Sequence, residues 1–193
     1  MRKGTQMPFI PAYWQVVWVL LVPAILYASW VDYAQRRVPN WLNACILAAG
    51  LAVQMRFHGW GGIGAGLLGA AVGFGVLIIP WLMHGMGAGD VKLMMAIGAW
   101  LGPALTLWSF AVGALLGGVV AVVMITVTGR TFYALANMQT IVTKLRRWDT
   151  AFGEFGGART FGRTSQLLPY GVPLTFGTLA VLAAHCISGG SWL

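Results

Sequence analysis

Acidic side chains are almost missing from this chain. Its 193 residues hold four Asp and Glu against twelve Lys and Arg, and only 8% are charged. An average soluble domain carries about 25% charged residues, so an ordinary water-soluble globule is excluded. Cysteine is equally scarce. Cys45 and Cys186 stand far apart, each inside an apolar run, and read as small core residues rather than a disulfide or metal pair. The chain also lacks a Ser/His/Asp set, a zinc signature and a phosphate-binding loop followed by Lys and Ser or Thr. It shows no internal repeat of the kind transporters often have.

Long apolar runs are what the chain does have: Trp14 to Val31, Trp41 to Met55, Ile63 to Met83, Leu107 to Val127 and Leu167 to Ile187. Spanning a bilayer takes about 20 mostly apolar residues. The expected fold is therefore all-α: one integral membrane unit over residues 1–193, with about six transmembrane helices. Arg2 and Lys3 precede the first run, as in a secretory signal. Its length, Pro23 and the lack of a small-x-small cleavage site instead predict a retained helix.

The net charge of +8 does not point to nucleic acid, because the cations fall in the loops and report orientation. Arg36, Arg37, Lys92, Arg130, Lys144, Arg146, Arg147, Arg159 and Arg163 lie on one side; Arg2, Lys3 and Arg56 lie on the other. The richer side is assigned to the cytoplasm, which leaves the amino terminus outside. Helices are then expected over about 14–33, 41–56, 61–83, from Asp90, 107–128 and 168–187. Only some 12 residues separate Asp90 from Pro103, about 18 Å of helix against a core of roughly 30 Å. Either the fourth helix continues through Pro103, or it is short and begins below the membrane surface, inside a protein-lined cavity. Trp14, Trp30, Trp41, Trp60, Trp81, Trp108 and Trp192 fall near helix ends, as an aromatic belt would. Residues 129–166 form a basic cytoplasmic segment suited to an anionic inner leaflet, so membrane lipid is an expected partner. Glycines 61, 62, 64, 66, 69, 73 and 75 read as a small-residue helix-packing surface.

Of the four acids, Asp149 and Glu154 lie in the basic segment and read as solvated ion pairs. Asp32 and Asp90 end apolar runs on the same side, where ionisable groups are costly and usually functional. Two carboxylates within a few ångströms share a proton. One can then polarise a water while the other protonates a scissile carbonyl. Simpler roles stand beside this one: Asp90 as an N-cap, and Asp32 paired with Arg36 one turn on. The glycines of "GMGAGD" remove side chains next to Asp90 and let a peptide backbone approach. His84 is the one histidine close to Asp90, and a supporting hydrogen bond from it is open.

Three stretches carry a resemblance. "GAGD" at 87–90 matches the GxGD signature of intramembrane aspartyl proteases, and "GAGDVKLMMAIGAWLGP" is similar to its form in prepilin peptidases. "DYAQRRVPNWLN" at 32–43 resembles that family's first-aspartate region, and "LPYGVPLTFG" at 168–177 its Pro-aromatic-Gly-x-Pro element. The resemblance implies that Asp32 and Asp90 are the catalytic pair, acting without metal or other cofactor. It implies that Gly87, Gly89, Lys92, Pro39, Asn40, Pro169, Tyr170 and Gly171 shape the site. The implied setting is a bacterial cytoplasmic membrane, and the implied substrate is a type IV pilin-like precursor. Such a precursor carries a short basic leader, cut after glycine just before its hydrophobic helix.

Longer members carry a CxxC-bearing zinc domain, associated with methylation, between their early helices. Here that loop is a few residues long and has no CxxC. The chain is thus similar to the short form found in tight-adherence (Flp) pilus systems, and no methyltransferase activity is expected. The rival reading is a proton-coupled transporter or channel using Asp32 and Asp90 as a relay. A transporter needs neither the PNW nor the PYGVP element.

Overall fold

The computed structural model describes residues 12–35, 38–82, 86–127 and 170–188, and their regular elements are all helical. Helix α1 (Ala12–Val16), a π-helical turn (Val17–Leu21) and α2 (Val22–Gln35) run on as one rod. Pro23 has no N–H for the ladder, and the wide turn directly before it is where a helix absorbs such a defect. Then come α3 (Asn40–Leu82), α4 (Ala88–Val127) and α5 (Gly171–Ile187). Three stretches are long and apolar enough to cross a membrane: Ala12–Gln35, Asn40–Leu82 and Ala88–Val123; α5 is a shorter apolar helix. The chain divides into two compact units, Met1–Gly117 with Pro169–Leu193, and Gly118–Leu168. All contacts below belong to the first. In the second, the described part is the end of α4, where Val119, Val120, Val122, Val123 and Val127 are exposed.

At 43 residues, α3 would measure about 65 Å if straight, twice the membrane core. It is not straight. Gly59 leaves the helical region at φ 62°, which glycine adopts readily and other residues rarely. The two arms fold back on each other, and Gly62 lies against the Gln54 carbonyl. Helix α4 breaks in the same way at Gly102 (φ 74°), directly before Pro103. The fourth helix therefore does not continue unbroken through Pro103. Its first arm, 88–101, is only about 21 Å long. It lies in the interior of the first unit, with Leu93, Met94, Ala96, Ile97, Ala99 and Trp100 all buried. From Leu93 to Leu101 the arm is apolar on every side, and such a helix is stable only when surrounded.

The second arm of α3 packs antiparallel on this central helix through backbone contact. Gly66 faces the Ala99 carbonyl, Gly69 faces Gly98, and Gly73 faces Met94. The glycine surface is thus real but narrower than expected. Gly62, Gly66, Gly69 and Gly73 follow the helical repeat on the packed face, whereas Gly61, Gly64 and Gly75 meet nothing within 4 Å. The Trp100 carbonyl lies just before the break at Gly102. Tyr13 Oη and Gln54 Nε2, from two other elements, both donate to it, the latter at 3.0 Å. The Trp100 indole donates to the Ile46 carbonyl at 2.8 Å and fills the space beside Gly50.

Trp30, Trp41, Trp60 and Trp108 are exposed, as belt residues should be. Trp192 and the segment 129–166 lie outside the described residues. Cys45 is exposed, so the core role expected for it is corrected: it stands on the outward face of α3.

Candidate active site

Asp32 lies in the last turn of α2 and Asp90 in the first turn of α4. Both are buried, at 6% and 5% exposure. They converge on the first residue of α5. A Cβ placed on Gly171 would lie 2.8 Å from Asp32 Oδ2 and 3.4 Å from Asp90 Oδ1. The two oxygens are therefore no farther apart than the sum of those distances. Both oxygens are buried and have no hydrogen-bond partner among the described residues. The Gly171 N–H faces both carboxylates, and the Gly87 N–H faces that of Asp90. The free amides that begin α4 and α5 thus supply partial positive charge to a pair that has no cation among the described residues within ion-pair reach.

The local sequence explains this placement. Gly87 precedes the first residue of α4, so Asp90 is third in the helix rather than its N-cap, and that expectation is corrected. The Asp90 N–H donates back to the Gly87 carbonyl at 3.2 Å, while its carboxylate faces the Gly87 amide. This is the reciprocal arrangement of a capping box with glycine in the cap position. A side chain at Gly87 would lie 3.5 Å from Asp90 Oδ2, and one at Gly89 would lie against Val38. On the other side, Ser29 is one turn before Asp32. Its Oγ donates to the Gly171 carbonyl at 3.2 Å and pairs with Thr175 Oγ1 at 2.5 Å. Those bonds dock α2 on α5 and bring Asp32 to Gly171.

The other expected residues that the structure describes lie near the starts of α3, α4 and α5. The Pro39 carbonyl accepts from the Leu42 and Asn43 amides and so starts α3. Lys92 is exposed, and its Nζ donates to Asn40 Oδ1 at 2.8 Å; it bonds to neither aspartate. The Tyr170 carbonyl accepts from Leu174 N–H, and its ring packs on the core. Pro169, His84 and Arg36 lie outside the described residues. Sequence reasoning missed Ser29, Thr175 and Asn43, whose Nδ2 donates to the Gly89 carbonyl at 3.3 Å. The available signal was a small polar residue inside an apolar run. No group of three or more potential metal ligands occurs among the described residues. Two carboxylates so arranged have the parts for acid–base activation of water against a carbonyl.

Residues 19–122, which include both aspartates, match the type IV leader peptidase family. The prepilin leader peptidase/N-methyltransferase of Aeromonas hydrophila is 34% identical over 116 residues, which is 54% of this chain and 40% of that protein. The protein of the same name from Burkholderia pseudomallei is 35% identical over 111 residues, 50% of this chain and 35% of its own length. That from Neisseria gonorrhoeae is 29% identical over 136 residues, 62% and 46% respectively. The chain thus spans less than half the length of these curated relatives. No solved structure matches it.

Proposed function

This chain belongs to the type IV leader peptidase family, and from that premise we propose that it is a membrane aspartic endopeptidase. Its substrates are leader-bearing precursors of the pilin-like, Flp type, cut at the cytoplasmic face by a six-span protein. The observation that carries this reading is the approach of Asp32 Oδ2 and Asp90 Oδ1 to one backbone position, Gly171. One carboxylate, ionised, takes a proton from a water as its oxygen attacks the scissile carbonyl. The other, protonated, gives its proton to the carbonyl oxygen, producing a gem-diol. Collapse breaks the C–N bond, the first acid returns a proton to the leaving amine, and the second recovers its own from the diol hydroxyl.

Access comes from the exposed Gly87 and Ala88 beside the buried pair. Gly87 and Ala88 themselves put no long side chain in the way of an extended peptide. The nine-to-three bias of cations places this end in the cytoplasm, where a basic leader lies, and anionic lipid holds the basic segment 129–166. The loop between α2 and α3 is only residues 36–39, too short for a zinc domain, and so methyl transfer is not assigned to this chain. The relay alternative finds less support. Past Lys92, which is exposed, the central arm from Leu93 to Trp100 is apolar and, Met95 apart, buried, and it offers no next carrier for a proton.

The test is purified protein in detergent with a pilin-like precursor, the products being weighed by mass spectrometry. Cleavage at the leader boundary that persists in EDTA is expected. No cleavage, or cleavage abolished by the chelator, would overturn the assignment.

A further inference from the structure

Asn43 is a buried polar side chain with no part in the chemistry above. It lies in the first turn of α3, 4% exposed, and donates from Nδ2 to the Gly89 carbonyl at 3.3 Å. Its Oδ1 is buried with no partner. Because a carbonyl can only accept, the amide orientation is set: Nδ2 toward Gly89, Oδ1 away from it. The Gly89 carbonyl is one end of a peptide unit whose other end is the Asp90 N–H. That N–H donates to the Gly87 carbonyl at 3.2 Å. The peptide leading into Asp90 is thus held at both ends, by α3 at its oxygen and by the cap residue at its nitrogen. Glycine on its near side would otherwise leave this unit loose.

Stability alone gives poor reason for this residue. A half-satisfied buried amide is worse for the fold than an apolar side chain of the same shape, since its orphan acceptor has lost water and gained nothing. What the amide does supply is direction. Asp90 Oδ1 must face Asp32 across Gly171, and rotation of the Gly89–Asp90 peptide would swing it away.

Resting on the peptidase reading, we propose that Asn43 is a positioning residue: it clamps the Gly89–Asp90 peptide and thereby aims the Asp90 carboxylate at its partner. The test compares wild type, Asp90→Asn, Asn43→Leu and Asn43→Asp as purified proteins cleaving a pilin-like precursor, with kcat, KM and melting temperature measured. Both Asn43 variants remove the donor while nearly keeping the shape. An ångström of misplacement costs about a hundredfold in rate, so kcat should fall about tenfold to a hundredfold while KM stays within about twofold. Asn43→Leu should melt no lower than wild type. Should Asn43→Leu fail to accumulate folded, Asn43→Asp decides on the same kcat and KM criterion. Wild-type kcat in either variant, or a loss that follows falling melting temperature or rising KM, would overturn the clamp. If wild type does not cleave, or Asp90→Asn does, the peptidase reading fails instead. A dead Asp90→Asn beside a fully active Asn43→Asp sinks the clamp alone.

Discussion

Replacing Gly171 with alanine adds one methyl group at the point where the two acids meet. The new Cβ would lie 2.8 Å from Asp32 Oδ2, 3.3 Å from its Cγ and 3.4 Å from Asp90 Oδ1. Comfortable separation for such atoms is about 3.5–4.0 Å. The Asp32 carboxylate must therefore retreat by more than half an ångström, and it is pinned through its own helix by Ser29 and Thr175. Overpacking of this kind costs about 1–3 kcal/mol of stability. The effect on rate should be larger in proportion, because misplacing a reacting group by about 1 Å costs about a hundredfold. Two controls grade the result. Gly89→Ala meets Val38 at 3.4–3.7 Å, an ordinary contact, and should lose far less. Gly75→Ala meets nothing within 4 Å and should be neutral, or gain up to about 1 kcal/mol from helix propensity. Precursor cleavage and thermal melting on the three proteins supply the readout. Wild-type kcat in Gly171→Ala would refute the packed arrangement of the pair.

Other expectations follow from the same contacts. Gly69→Ala sets a methyl against the Gly98 carbonyl and should destabilise by about 1–3 kcal/mol, whereas Gly64→Ala, on the open face, should not; melting in detergent separates them. Ser29→Ala removes a buried hydroxyl that docks α2 on α5 and should cost about 0.5–1.5 kcal/mol. Its kcat should fall further than that loss of stability accounts for, because Asp32 is one turn away. Trp100→Ala empties the central packing site and leaves the Ile46 carbonyl without its indole donor, for about 3–5 kcal/mol. Mass spectrometry of product made by this protein alone should show an unmethylated amino terminus.

Much of this arrangement was legible in the sequence because membranes make it so. Apolar length and loop charge alone brought Asp32 and Asp90 to one end of the protein. The arithmetic of the fourth helix left two readings open, a run through Pro103 or a short helix, and the break at Gly102 rules out an unbroken run. What was not legible depends on register. The glycines of α3 read as one surface, but the helical repeat puts Gly62, Gly66, Gly69 and Gly73 inward and leaves Gly61, Gly64 and Gly75 open. Ser29 and Thr175 are also missed for a physical reason. In an apolar helix a hydroxyl can bond back to its own ladder, as Thr178 does to Leu174. Only the packing of α2 on α5 shows that Ser29 reaches across instead. The role of Asp90 differed by a small step along the chain. In Gly-Ala-Gly-Asp at a helix start either the first glycine or the aspartate can cap, and the structure assigns the cap to Gly87 and the first turn to Asp90.

The central claim is that Asp32 and Asp90 act as one reaction centre. The direct measurement is cleavage by purified Asp32→Asn and Asp90→Asn proteins, each checked for folding by melting temperature. Asparagine keeps the shape and removes a buried, unpaired carboxylate, so stability should hold or rise. Each variant should nonetheless lose cleavage by at least about a thousandfold, since catalytic groups acting as a unit fail together. Cleavage that survives in either folded variant would contradict the account.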